Sequence, residues 1–135
     1  MDSIEKVRNS LFILRLGVFI VMFMWTIDKL VNPDHTVSVF ERYYLISGLS
    51  ETLAIVLGIL QLIIIIAFIG AYKRTYSYMS VLIMHTISTI SSYERYLDPW
   101  TVPNLLFFAA WPMLAAIIVL YYLRDLDTKF SFEKN

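Results

Sequence analysis

The sequence lacks cysteine entirely and holds only two histidines, four glycines and four prolines among its 135 residues. The absence of cysteine excludes thiol redox chemistry, disulfides and cysteine-ligated metal sites within the chain. With one histidine, His35, in a predicted loop and the other, His85, inside an apolar segment, we expect no histidine-based metal site. There is also no phosphate-binding loop, no dinucleotide fingerprint and no basic patch, so no nucleic-acid partner is expected.

Charge is scarce as well. Charged residues make up 16% of the chain and hydrophobic residues 59%, and the mean hydropathy is +0.67. These values lie outside the range of soluble domains and predict an all-α integral membrane protein whose first partner is the lipid bilayer. Because a helix needs about 20 residues to cross the hydrocarbon, the chain has room for about four, in one domain over residues 1–135.

The apolar stretches predict where those helices lie. Four are apparent, over about residues 11–31, 52–71, 76–93 and 104–123, and the third is the most polar. Only Lys73, Arg74 and Thr75 separate the second from the third, so these two helices must be antiparallel neighbours. The sequence therefore predicts an antiparallel bundle of four transmembrane helices.

A further short helix is predicted between the first two spans. The connection opens with the turn signal Asn32-Pro33, after which Val37, Phe40 and Tyr44 recur at helical spacing. An amphipathic segment of this kind is typical of a helix that lies in the membrane interface.

Lysine and arginine are distributed unequally over the two sides of the predicted bundle. They concentrate at the N-terminus, the second turn and the C-terminus, as Lys6, Arg8, Lys73, Arg74, Arg124, Lys129 and Lys134. Because positive charge is retained in the cytoplasm during insertion, both termini are predicted to be cytoplasmic.

Two basic residues, Arg15 and Lys29, lie close to the hydrocarbon. Arg15, about one turn into the first span, either extends back to the headgroups or has an interior role. Lys29, which shares a helix face with Trp25 near the outer boundary, either forms a solvated interfacial ion pair with Asp28 or turns inward to Glu51.

Two polar side chains are predicted near the midplane. Gln61 lies in the second span, and His85 begins the stretch HTISTISS in the third, where Ser88, Thr89 and Ser92 share its face. This stripe indicates either a contact between helices or a cavity between them. A serine hydrolase is not expected, because no carboxylate lies at the depth of His85.

The sequence resembles the DoxX-like membrane proteins, a group to which the MauE-type proteins are related. The resemblance is carried by LRLGVFIVMFMWTIDKLVNP, by GLSE before the second span, and by LAIVLGILQL within it. It implies a compact four-helix bundle associated with redox systems of the prokaryotic cytoplasmic (inner) membrane. The matching positions are Arg15, Lys29, Glu51 and Gly58, of which the three charged ones would line an interior site, so the resemblance favours the inward pairing of Lys29 with Glu51.

Two functional hypotheses follow. In the first, the bundle holds a quinone or another apolar redox molecule, with Gln61 or His85 bonding a carbonyl oxygen and Lys29 and Glu51 linking the site to outer protons. In the second, the chain is a non-catalytic accessory or assembly subunit whose polar stripe packs on a partner helix. Since the chain has no means of transferring electrons alone, both require a partner, such as a membrane or soluble oxidoreductase, or a homo-oligomer. A small transporter is a weaker alternative, because the sequence shows neither broken helices nor repeats.

Overall fold

In the computed structural model, which describes residues 1–133, every regular element is helical. The predicted all-α class is thus confirmed for these residues. The elements are α1 (Ser3–Val31), α2 (Pro33–Tyr43), α3 (Glu51–Ile69), α4 (Arg74–Ser91), α5 (Tyr93–Leu97), a 3-10 helix (Asn104–Ala109) that leads directly into α6 (Ala110–Tyr122), and a 3-10 turn (Arg124–Leu126).

The helix boundaries follow from capping and backbone conformation. α1 begins well before residue 11, where the apolar span was expected to start, because the Asp2 carboxylate caps it by accepting the Glu5 amide at 2.7 Å. Ser50 caps α3 in the same way, through the Leu53 amide at 3.1 Å. Between α3 and α4, Lys73 has a φ of 47°, and this left-handed residue helps to reverse the chain within a few residues.

The long helices pack as antiparallel neighbours. α1 contacts α3 and α6, α4 contacts the same two helices, and α2 lies against α1 and α3. Within residues 1–133, three segments are long and apolar enough to cross a membrane, namely Ser3–Val31, Glu51–Ile69 and Asn104–Tyr122. α4 is nearly as long, but its serines, threonines and histidine make it more polar.

Gly58 of α3 packs against the end of α1. A Cβ atom at this position would lie 2.8 Å from Leu30 Cδ2 and 3.2 Å from Lys29 Cβ. Any larger residue would therefore push the two helices apart or displace these side chains.

Apolar side chains face both inward and outward. The buried ones, including Val18, Ile65 and Ile117, form one core between the helices. Others on the same helices, such as Ile63 and Ile118, are at least half exposed. Exposed isoleucines on long helices are characteristic of helices that face lipid.

Candidate functional site

A cavity of about 590 Å³ lies between α1, α4 and the segment that joins the 3-10 helix to α6. Its walls are largely apolar, and its polar groups come from α4. The lining residues include Ile13, Gly17, Val21 and Trp25 of α1, His85, Ser88 and Ser92 of α4, and Leu106, Ala110, Met113 and Ala116 of the third wall.

The cavity is elongated along α1. Its lining runs from Ile13 to Trp25, a length of about 18 Å at 1.5 Å per residue. His85 lies at the Trp25 end, where the two rings stack with centroids 6.0 Å apart and planes 23° apart. The cavity is therefore polar at one end and apolar along the rest.

His85 is the most distinctive residue of this site. It is 1% exposed, and its Nε2 lies 2.9 Å from the Ala110 carbonyl oxygen. Because a carbonyl oxygen only accepts, Nε2 carries the hydrogen and donates it. The other ring nitrogen, Nδ1, is buried and has no hydrogen-bond partner within residues 1–133. In the neutral ring it is an unused acceptor.

The hydroxyl groups of the polar stripe are mostly used within α4. Thr89 Oγ1 donates to the His85 carbonyl at 2.7 Å, and Ser92 Oγ donates to the Ser88 carbonyl at 3.0 Å. Tyr96 of α5 donates to the Thr89 carbonyl at 2.9 Å, and its partial burial raises the pKa of its phenol. The stripe faces the interior of the protein, as shown by the burial of His85, Thr89 and Ser92.

Gln61 lies elsewhere, at the contact of α1 with α3. It is buried, and its Nε2 donates to Thr26 Oγ1 at 2.9 Å, while Thr26 donates to the Met22 carbonyl. Gln61 does not line the cavity. The structure thus gives Gln61 and His85, both predicted near the midplane, different partners on different helices.

Lys29 and Glu51 are not joined either. Glu51 is exposed as the first residue of α3, and Lys29 packs its stem over the position of Gly58. Within residues 1–133 no ion pair connects them. Asp28 instead contacts His35, whose Nδ1 lies 2.5 Å from the carboxylate, and this hydrogen bond links the end of α1 to α2.

Arg15 has an interior role, but away from the cavity. Its Nη1 lies 2.6 Å from Asp127 Oδ1, and both side chains are fully buried. Tyr78 donates to the other carboxylate oxygen at 2.5 Å, Arg15 Nη2 donates to the Lys129 carbonyl at 2.5 Å, and Arg74 donates to the Asp127 carbonyl at 2.9 Å. The sequence interpretation missed Tyr78 and Asp127. No signal in the sequence distinguished Asp127 from the neighbouring Asp125.

The segment after Asp127 crosses the same end of the protein. The Phe132 amide donates to the Gly70 carbonyl at 2.7 Å, and Glu133 accepts the Lys73 amide at 2.6 Å. We call residues 127–133 the C-terminal strap. It connects the start of α1 with the turn between α3 and α4.

Arg95 organises the opposite end. Its guanidinium donates to Asn104 Oδ1 and to the Tyr43 hydroxyl, each at 2.9 Å. It also lies 5.6 Å from the Tyr43 ring centroid and 5.4 Å from that of Phe107. Through this one side chain, α2, α5 and the 3-10 helix are held together.

The apolar helices are those of a small integral membrane protein, here with an apolar cavity between its helices. Residues 7–98 match the model of a membrane family described as methylamine utilisation protein MauE. Because the match covers more than half of the chain, the protein belongs to the MauE family. No curated protein and no solved structure matches it. The match covers most of α1 and runs through α5, whereas α6, one wall of the cavity, lies beyond it. The wider DoxX-like resemblance stays a prediction.

Proposed function

We propose that this protein is a membrane accessory subunit that holds a quinone-type molecule in the cavity between α1, α4 and α6 for an oxidoreductase partner. The observation that carries the proposal is the largely apolar cavity of about 590 Å³ whose lining includes the polar residues His85, Ser88 and Ser92. Small-molecule sites are typically apolar clefts with a few polar groups that orient the ligand, and this lining has that composition. The cavity volume is in the range of small-molecule sites.

The shape of the cavity favours a ring with an apolar tail. His85, Ser88 and the stacked Trp25 form the end that suits a polar aromatic head. From there the lining runs past Val21 and Gly17, where a hydrocarbon chain meets only apolar atoms.

Such a ligand has a direct path from the bilayer. Ile13 and Leu106 both line the cavity and are 67% and 76% exposed, so the cavity opens on the outer surface of α1 and of the 3-10 helix. A molecule dissolved in the membrane reaches this opening without passing through water.

The proposal includes the membrane arrangement. α4 serves as a fourth span, because it starts directly after α3 and packs along α3 and α6. α2 lies in the outer interface, and the end that contains the termini faces the cytoplasm of a prokaryotic inner membrane. This orientation places Lys73, Arg74 and Arg124 inside, as the distribution of positive charge requires.

Single cysteines test this arrangement cleanly, since the native chain has none. Ser3→Cys on one side and Leu45→Cys and Trp100→Cys on the other are all at exposed positions. In intact spheroplasts, an impermeant maleimide should label positions 45 and 100 but not position 3. Labelling of positions 45 and 100 from opposite sides would contradict the fourth span.

Retention of the ligand tests the function itself. Protein purified in polymer-bounded native membrane discs should carry a quinone that solvent extraction and mass spectrometry detect. Gly17→Leu should remove it, because a Cβ at Gly17 meets no atom within 4 Å and the longer side chain extends into the cavity. Ile20→Phe adds volume on the same helix outside the lining, and it should leave retention unchanged.

A second candidate function is assembly without a ligand, with which the family match is consistent. It predicts a stable partner that co-purifies with the Gly17→Leu variant as well as with the native chain, and no quinone in either. If native discs contain quinone only at the level of discs that surround an unrelated membrane protein, ligand holding is wrong and assembly is the better account.

A further inference from the structure

Three polar side chains of α4, those of His85, Ser88 and Ser92, line the cavity. We infer that the Ser88 hydroxyl is the group that holds the polar head of the ligand, and that it binds the oxidised and the reduced head alike. This inference rests on the proposed function and deepens it, because it names the binding residue and the class of head group.

Two of the three side chains are occupied by contacts within the protein. His85 donates the one hydrogen of its neutral ring from Nε2 to the Ala110 carbonyl at 2.9 Å, and its Nδ1 is enclosed by protein atoms. Ser92 is buried, and its Oγ donates to the Ser88 carbonyl at 3.0 Å. Neither side chain therefore has a hydrogen left to donate to a ligand.

The Ser88 hydroxyl is free by comparison. Ser88 is half-buried and lines the cavity, and its Oγ has no hydrogen-bond partner among residues 1–133. Unlike His85 Nδ1, this oxygen is not enclosed by the protein, so a molecule in the cavity can reach it. Thr89 and Ser92 instead donate to the carbonyl four residues back along α4. An accessible hydroxyl without a partner in a largely apolar cavity is available to orient a ligand.

A hydroxyl does not discriminate between the two oxidation states of a quinone-type head. Its hydrogen can be donated to a quinone carbonyl, and equally to the oxygen of a quinol hydroxyl, while its lone pairs can accept the quinol hydrogen. Trp25, which also lines the cavity, has an indole N–H that can only donate, so its participation leaves this conclusion unchanged. Occupancy of the cavity therefore does not depend on the redox state of the carrier.

Three probes test the inference: a decyl-substituted benzoquinone, the corresponding hydroquinone, and decylbenzene, which has the same tail but no oxygen. Binding to detergent-purified full-length protein is measured anaerobically by equilibrium dialysis. Each probe is compared between the native chain and a variant, so that its partition into detergent cancels. Ser88→Ala should weaken the binding of the quinone and of the hydroquinone by about threefold to tenfold, the worth of one hydrogen bond, and leave that of decylbenzene within about twofold.

Other variants serve as controls. Ser91→Ala is the matched control, because Ser91 is also a half-buried serine of α4 but lies outside the cavity lining. It should leave the binding of all three probes unchanged. Trp25→Phe keeps an aromatic ring but removes the indole N–H, and it should change quinone and decylbenzene binding by the same factor. Gly17→Leu is the blocked-cavity control.

A vibrational measurement detects the hydrogen bond directly. A donor on a quinone carbonyl weakens the double bond and lowers its stretching frequency. At saturating probe, an isotope-labelled quinone carbonyl should therefore absorb at a lower frequency in the native chain and in Ser91→Ala than in Ser88→Ala. A change in the shape of the cavity wall alone would not produce this difference.

The outcomes separate this inference from the proposed function. Binding of no probe above the Gly17→Leu control would overturn both. If Ser88→Ala weakens all three probes equally, only one oxidation state, or none, the inference is wrong and the ligand-holding function stands. A loss in Trp25→Phe that is confined to the oxygen-bearing probes would likewise overturn it, since the hydrogen bond would then come from the indole.

Discussion

Arg15 Nη1 and Asp127 Oδ1 lie 2.6 Å apart with both side chains fully buried, although 112 residues separate them in the chain. The pair fixes the C-terminal strap against α1, and Tyr78 of α4 completes it with a hydrogen bond to the same carboxylate. Once such a pair is buried, each charge depends on the other, because neither can return to water without unfolding its surroundings.

Removing the carboxylate charge should therefore destabilise the protein strongly. For Asp127→Asn we expect a loss of about 3–5 kcal/mol, since Arg15 would remain buried without its counter-charge. Reversible unfolding in mixed micelles measures the loss, and limited proteolysis should show the strap being cut first. Glu41→Gln, at an exposed position on α2, is the matched control and should change stability by less than about 0.5 kcal/mol. Equal stability of the two variants would contradict the buried pair.

Two glycines of the membrane-spanning helices should respond differently to the same substitution. Gly58→Ala brings a Cβ within 2.8 Å of Leu30, whereas Gly17→Ala meets nothing within 4 Å. Both gain about 1 kcal/mol of helix propensity, but only Gly58→Ala incurs the overpacking cost of about 1–3 kcal/mol. The difference between their unfolding free energies isolates that cost. If Gly58→Ala were as stable as Gly17→Ala, the close approach of α1 and α3 would be wrong.

The hydrogen bond between Gln61 and Thr26 should contribute to stability and not to ligand retention. A double-mutant cycle of Gln61→Leu and Thr26→Val should give a coupling energy of about 0.6 kcal/mol, the average for such pairs in membranes. Quinone content of Gln61→Leu discs should equal that of the native protein, because Gln61 lies outside the cavity lining. A loss of quinone in this variant would instead place Gln61 in the binding site.

Arg95 should control the opening of α2. In Arg95→Ala the bonds to Tyr43 and Asn104 are lost, so the free energy of opening α2 should fall by about 1–3 kcal/mol. Hydrogen exchange of the α2 amides should then become faster. Arg95→Lys retains the charge but not the two-pronged geometry, so an intermediate effect is expected. Arg8→Ala, an exposed arginine of α1, should leave α2 unchanged. Unaltered exchange in Arg95→Ala would show that α2 is held by other contacts.

Hydropathy predicted the helices well because a helix in lipid must be apolar along its length, and this requirement is visible in local sequence. It missed the first two turns of α1, where Asp2 and Glu5 stabilise a polar helix start by capping rather than by burial. The polar face of α4 was also readable, since His85 and Thr89 recur at helical spacing and both are buried.

The contacts of individual side chains could not be predicted from local sequence in the same way. His85 bonds a carbonyl 25 residues farther along the chain, and that contact depends on the rotation of two helices about their axes. The pairing of Lys29 with Glu51 was inferred from a family resemblance, but side-chain direction at a helix start decides such a pair, and Glu51 is exposed.

The sequence by itself determined an all-helical membrane protein without thiol chemistry, with a polar stripe on one helix and its cations gathered near the termini. Each of these follows from composition or from a period of a few residues, which local sequence carries. Only the tertiary structure decided that Arg15 meets Asp127, that Gln61 meets Thr26, and that His85 meets the Ala110 carbonyl. These relationships join residues far apart in the chain, and they are fixed by how whole helices pack rather than by any segment alone.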